Sequence, residues 1–273
     1  MNTLIKRWVL AGIDGADPGG HAVDWAAREA WRRRLPLRIV HVLEWRPVET
    51  GEAGKTYVEM AWTRANALTG EASRRAGEIA PGIEVRAETV LGEPAGRLLE
   101  LARDAELAVL GHRGRGGFAG LRLGSVSERV AEHAPCPVVV LRASLDREGP
   151  IIAGVDASPS ADDVLSSAFE MASGQGRGLV VIHSVGDTAG EPADLEQRIT
   201  RWQVKHPQVP VEIRMTSHTA RDALTEASSS GRLVVVGSRG HGLLHAALLG
   251  STGLHLLRHA ACPVLVARPV SPR

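Results

Sequence analysis

The chain has 273 residues, enough for one large domain or two of ordinary size. Hydrophobic residues make up 44% and charged residues 23%, ordinary for a globular protein, and an aromatic share of 3% leaves the core to Val, Leu, Ile and Ala. Thirty-two basic against 31 acidic residues give a formal charge of +1, which argues against nucleic acid as a partner; no apolar run approaches the roughly eighteen residues of a membrane helix.

The N-terminal "MNTLIKRWVLAGID" reads as a first strand near 8–13, not as a leader, and Asp14 follows it. Val23, Ala26, Ala27 and Ala30 then recur at helical spacing, and the basic "WRRRL" at 31–35 falls where such a helix shows its solvated face. Short β-branched runs near 37–43, 83–88, 107–111 and 137–142 read as buried strands. Leu98, Leu99, Leu101 and Ala102 mark another helix between them. Near-continuous apolar strands alternating with helices predict a parallel sheet covered on both faces. His41 lies on the second strand with no second ligand at metal spacing, so it reads as a packing residue, as does His183.

The remainder of the chain writes the same text again. "WVLAGIDGADPG" (8–19) matches "IIAGVDASPS" (151–160), and "LRIVHVLE" (37–44) matches "LVVIHSVG" (179–186), at an offset of 142. "LAVLGHRG" then matches "LVVVGSRG", and "AEHAPCPVVVLR" (131–142) matches "LRHAACPVLVAR" (257–268), at an offset of 126. The second half is therefore 16 residues shorter between its second strand and third helix. Such a period is too long for a solenoid and indicates two domains, 1–143 and 150–273, joined by a linker at 144–149. Cys136 and Cys262 repeat with it and make no disulfide framework, which suits a reducing cytoplasm. The fold class expected is α/β: two tandem copies of an open five-stranded parallel sheet, Rossmann-like, with helices on both faces and a ligand crevice at the carboxyl ends of the strands.

In that crevice falls the duplicated motif, "GHRGRGGFAGLRLGS" (111–125) and "GSRGHGLLHAALLGS" (237–251). Glycines let backbone N–H groups approach a ligand, and Ser125, placed as an N-cap with Glu128 completing a capping box, opens a helix whose free amides suit a phosphate. Arg113 and Arg115 stand nearby. No Gly-Lys-Ser/Thr follows, so the loop is no P-loop; "GIDGADPG" is no dinucleotide fingerprint. Asp14 and Asp156 could accept from a purine amine or ribose hydroxyl, or cap the following helix. No catalytic triad, catalytic base or metal cluster can be assembled from the spacing.

At these residues the chain resembles the universal stress protein family in its tandem form: Asp14 and Asp156, the strand ends His41–Val42 and His183–Ser184, both G-2x-G-9x-G-Ser motifs, and the closing "APCPVVV" and "AACPVLV". The resemblance covers essentially the whole chain and implies ATP, with Mg²⁺, as the ligand. It places adenine and ribose near Gly12, Asp14 and Val42. The phosphates would run along Gly111, Arg113, Gly114, Arg115, Gly117, Gly124, Ser125, Val126 and Ser127. The second site would use Gly154, Asp156, Ser184, Gly237, Ser238, Arg239, Gly240, Gly250, Ser251 and Thr252. The resemblance also implies subunit pairing through the last strand, which "PVVVLR" and "PVLVAR" could satisfy internally, alongside a possible homodimer.

The second half departs from the pattern: Gly253 stands for Ser127, "HGLLHAALL" has one glycine, and "HTA" (218–220) replaces "GEP" (92–94). A weaker or purely structural second site is the expectation. The function expected is an ATP-binding, stress-response regulator whose occupancy alters conformation or the binding of a protein partner. The alternatives are a slow ATP hydrolase or nucleotide-dependent transferase, and a nucleotide-free interaction scaffold.

Overall fold

In a computed structural model, which describes residues 7–15, 20–44, 52–114, 122–142, 147–156, 158, 160–185, 192–238 and 249–269, the chain divides into two compact units, 1–130 and 131–273. The first unit holds β1 (Trp8–Ile13), α1 (His21–Arg33), β2 (Leu37–Leu43), α2 (Glu52–Ile79), β3 (Val85–Leu91), α3 (Pro94–Ala102), β4 (Ala105–Gly111) and the start of α4 (Ser125–His133). The second holds β5 (Val138–Leu141), β6 (Ile151–Gly154), α5 (Ala161–Gln175), β7 (Leu179–Ser184), α6 (Pro192–Lys205), β8 (Val211–Thr216), α7 (Ala220–Ala227), β9 (Leu233–Gly237), α8 (Ser251–His259) and β10 (Val264–Ala267). β5 is grouped with the second unit because it pairs antiparallel with β10, Val140 opposite Val264 and Val138 opposite Val266.

Within the first unit the strand order is β3-β2-β1-β4, all parallel, with Ala11 opposite Val109 across β1 and β4. In the second, β9-β6-β7-β8 repeats it, and Ala153 stands opposite Val235. These are the same two positions after the sequence offsets, so the duplication extends to register. Outward β1–β2–β3 progression followed by a return to β4 forces α1 and α2 over one face and α3 over the other, by the handedness of crossovers. It also creates a switch point between the carboxyl ends of β1 and β4, where open sheets leave a crevice.

Local chemistry sets the element ends. Gly20 and Arg34 take left-handed conformations at the two ends of α1, and Arg32 and Arg33 both bond the buried Glu29, one turn back, at 2.7 Å. Glu93 caps α3 by accepting from the amides of Ala95 and Gly96 at 3.0 and 2.7 Å, with Pro94 leading the helix. The third strand runs over 85–91 instead of 83–88. Ile83 belongs to the turn that Gly82 makes at φ 88°, and pairing with β2 carries the strand on until Leu91 meets Leu43.

Ala65, Thr69, Ala72 and Ala76 form the buried seam of α2, which packs on β2 and β3. The missing residues of the second half come mainly out of this element, since α6 has 14 residues against 28. Leu195 and Ile199 bury the inner side of α6, which packs on α5 through Trp202 and His206 stacked on Phe169. Ile213 and Met215 of β8 remain exposed.

Two arginines bind helix ends in the second unit, and they are the same residue of the repeat. Arg268, after β10, is buried and donates from Nε to Ala134 O at 3.0 Å and from Nη2 to Ala131 O and Glu132 O at 2.6 and 2.9 Å. Arg142, after β5, donates from Nε to Ala260 O at 2.8 Å and from Nη1 to Leu257 O. Each guanidinium thus satisfies the last carbonyls of the other copy's helix, α4 or α8, where a cation also suits the helix dipole.

Cys136 and Cys262 are both buried thiols. Burial pushes the Cys262 thiol up to about 12 from an ordinary 9.0. As pH rises past the ordinary value the unfolded thiol ionises while the folded one keeps its proton, so stability present below that pH is lost above it. Between about pH 8 and about pH 10.5, urea unfolding should show wild type losing ~2 kcal/mol more than Cys262→Ala. Equal losses in both proteins would remove the thiol from this alkaline limb.

Candidate functional site

Gly12 and Gly154 sit on the first strand of each copy, one residue from its end or at it. A Cβ on Gly12 would stand 2.4 Å from the Leu110 side chain and 3.2 Å from Leu98; on Gly154 it would meet Leu224 at 2.5 Å. These glycines let α3 and α7 close over the sheet beneath the crevice. His41 Nδ1 bonds Ile13 O at 2.9 Å, and His183 Nδ1 bonds Val155 O at 2.8 Å. Each ring holds the strand-end carbonyl just before the aspartate, a role that spacing alone could not distinguish from packing.

In the first copy β1 delivers Asp14 to the loop that follows β4. A Cβ on Gly114 would fall 2.4 Å from Asp14 Oδ2, so the carboxylate lies directly against the backbone of Gly114. The Gly124 amide donates to His112 O at 2.7 Å, and Gly124 is close to Gly114 N and the Cα of Arg113. The loop is thereby folded back until its two ends touch. Arg113 is exposed, and its Nε lies 3.1 Å from His112 Nε2. Val42 is half-buried near the end of β2.

The start of α4 differs from its expected form. Gly124, not Ser125, occupies the cap, because its carbonyl accepts the first helical bond, from Glu128 N at 2.9 Å; Ser125 is already the first helical residue. Extended backbone with the small footprint of glycine serves at this bend, as Gly250 shows at the same place before α8 (φ −60°, ψ 155°). Ser125, Val126 and Ser127 therefore carry the first-turn amides, which have no acceptor within a helix. Ser127 is buried, and its Oγ donates to Gly111 O at 2.6 Å, so its hydroxyl fastens α4 to the end of β4.

The second copy keeps the frame and changes the lining. Gly250 N donates to Ser238 O at 3.1 Å, the counterpart of the Gly124–His112 bond, and Gly237 ends β9. Ser251 and Thr252 open α8. Asp156, however, accepts from Ser158 N at 3.0 Å and from Ser158 Oγ, and Ser158 Oγ lies 2.8 Å from Ser160 Oγ. Ser184 is buried and donates to His218 O at 2.8 Å. Gly253 supplies no hydroxyl; a Cβ there would meet buried Leu249 at 2.8 Å. Arg115, Gly117, Arg239 and Gly240 lie outside the described residues.

Two four-strand parallel arrays built alike, each with an aspartate at the end of its first strand and a glycine loop opening a helix beside its switch point, define a tandem Rossmann-like α/β protein. The chain belongs to the universal stress protein family, whose profile matches residues 7–142 and 186–268. It is 31% identical to the universal stress protein Rv2005c of Mycobacterium tuberculosis, covering 96% of this chain and 97% of that one. A universal stress protein of Mycolicibacterium smegmatis is also 31% identical, over 98% of this chain and 99% of its own. Among solved structures, a universal stress protein from Archaeoglobus fulgidus matches the fold at a TM-score of 0.75 and 20% identity, over 96% of both chains. Among the described residues no helix is long and apolar enough to cross a membrane.

Proposed function

We propose that the chain is an ATP-binding regulator whose first copy holds the nucleotide, with Mg²⁺, and whose second copy has become a structural counterpart of that site. The observation carrying this reading is the contact of the Asp14 carboxylate with the backbone of Gly114, which itself lies against Gly124, the residue before α4. A carboxylate at one wall suits a ribose hydroxyl or purine amine. Helix amides that have no acceptor within α4, with the positive end of its dipole, and the Arg113 guanidinium, suit phosphate oxygens. Gly111 and Gly124 set the turn that joins these walls. Binding charge at the N-terminus of α4 biases that helix, and a protein partner reads the change.

In the second copy the equivalent acceptor, Asp156, already serves Ser158, and the Ser184 hydroxyl already serves His218. A ligand there would have to displace the Ser184 bond, which Val42 of the first copy, having no hydroxyl, does not make. Equilibrium dialysis of nucleotide-stripped protein against ATP and Mg²⁺ should therefore saturate at one nucleotide per chain. Two per chain would refute the structural assignment of the second copy, and none would refute ATP binding altogether.

A further inference from the structure

His255 and His259 stand at i and i+4 on α8, with ring centroids 4.3 Å apart and planes inclined by only 9°. The pair belongs to the second copy alone. At the same positions the first copy has Arg129 and His133, and Arg129 Nη1 bonds Glu93, the cap of α3, at 3.1 Å. In the second copy the cap is Thr219, whose Oγ1 donates to Asp222 Oδ2 at 2.8 Å and accepts from Asp222 N at 3.2 Å. The cation and its carboxylate partner have both gone, and two imidazoles lie one turn apart in their place.

We propose that His255 and His259 form a two-histidine clamp for a borderline-soft divalent cation of the Zn²⁺ type. Two histidines at this spacing share one helix face, and both can ligate one ion. Two nitrogens each bound at ~2.0–2.1 Å with a tetrahedral angle stand roughly 3.3 Å apart, and the parallel rings reach that arrangement by turning about their side-chain torsions until their in-plane lone pairs converge. The helix backbone need not move. Desolvation and the neighbouring His259 hold His255 below its ordinary range, which keeps its ring in the neutral, ligating form. Arg221 and Asp222 of α7 also act on that ring, in opposite senses.

Among the described residues no third His, Cys, Asp or Glu joins the pair, so the two histidines leave further coordination positions of the ion unfilled. The segment "HLLRH" places buried Leu256 and Leu257 between the ligands, where a hydrolytic zinc helix would carry a glutamate next to its first histidine. The clamp therefore binds and does not hydrolyse. An ion held there staples one turn of the helix that opens the second crevice, and it needs no nucleotide to do so.

Nucleotide-stripped full-length protein, in Mg²⁺-free buffer treated with chelating resin, is titrated with Zn²⁺ by calorimetry while the histidine ring protons are followed by NMR. One ion per chain should bind, with the His255 and His259 resonances moving together. His255→Arg, which installs the first copy's residue, should weaken binding by more than the roughly tenfold that loss of even an outer-shell partner costs. The exposed His259→Asn should do the same and serves if His255→Arg does not fold. Zn²⁺ bound as tightly by His259→Asn as by wild type, or shifts confined to other histidines, would overturn the clamp.

Discussion

Gly114→Val should lower ATP affinity about a hundredfold, or ~2.7 kcal/mol, and leave the thermal midpoint within ~2 °C of wild type. The smallest added atom would stand 2.4 Å from Asp14 Oδ2, so the carboxylate must swing away from the wall it forms. The valine methyls would then occupy the space that the ligand needs. Folding should tolerate the change because Gly114 is exposed on a loop and its φ is not among the positive values that demand glycine. Asp14→Ala, which removes the acceptor without filling the crevice, should weaken binding by about tenfold, on the scale of one lost charge-assisted hydrogen bond. Equilibrium dialysis paired with calorimetry separates the cases. Unchanged affinity in Gly114→Val would put the nucleotide elsewhere, and a collapse of both affinity and midpoint would make the glycine structural.

Arg268→Ala should be the most destabilising single change outside the hydrophobic core. It removes a buried cation that donates to Ala131, Glu132 and Ala134 and leaves three carbonyls at the end of α4 without it. Charge-assisted bonds and unsatisfied buried acceptors together set the loss at about 3 kcal/mol. For a unit of this size that is a fall of roughly 6–12 °C in the melting midpoint. Arg268→Lys should recover less than half of it, because a single ammonium cannot fork toward three carbonyls. Arg142→Ala should cost less, since Arg142 is only half-buried and bonds two carbonyls. A midpoint unchanged in Arg268→Ala would show that water replaces the guanidinium.

The bounds of β1 and β2 were legible because their apolar runs are bracketed by polar residues. β3 was not, since it is an edge strand with a half-exposed pattern and its length is set by pairing to β2. Repetition exposed the duplicated loop motif, because its glycines, Arg113/Arg239 and Ser125/Ser251 recur 126 residues apart while most residues around them are rewritten. Side chains that bond backbone left no such trace. His41 could be placed on its strand, but its bond to Ile13 O depends on strand register. Ser125 carried the chemistry of a cap, yet the bend to be capped lay one residue earlier, at Gly124. The Ser158 hydroxyl that occupies Asp156 was visible in "DASPS" only as turn composition. Arg142 and Arg268 closed the repeat in plain sight, but their carbonyl acceptors lie more than a hundred positions away and carry no sequence signature.

The reciprocal arginines make truncation a different experiment from what the tandem sequence invites. A fragment ending after β5 keeps an arginine whose acceptors were left behind in α8, a helix end whose donor was Arg268, and a strand edge that had been closed by β10. All three vacancies are self-complementary, so a second identical fragment fills them by symmetry. Severed halves should therefore be recovered as exchanged pairs, and the solitary module drawn from the sequence would be the rarest species in the tube.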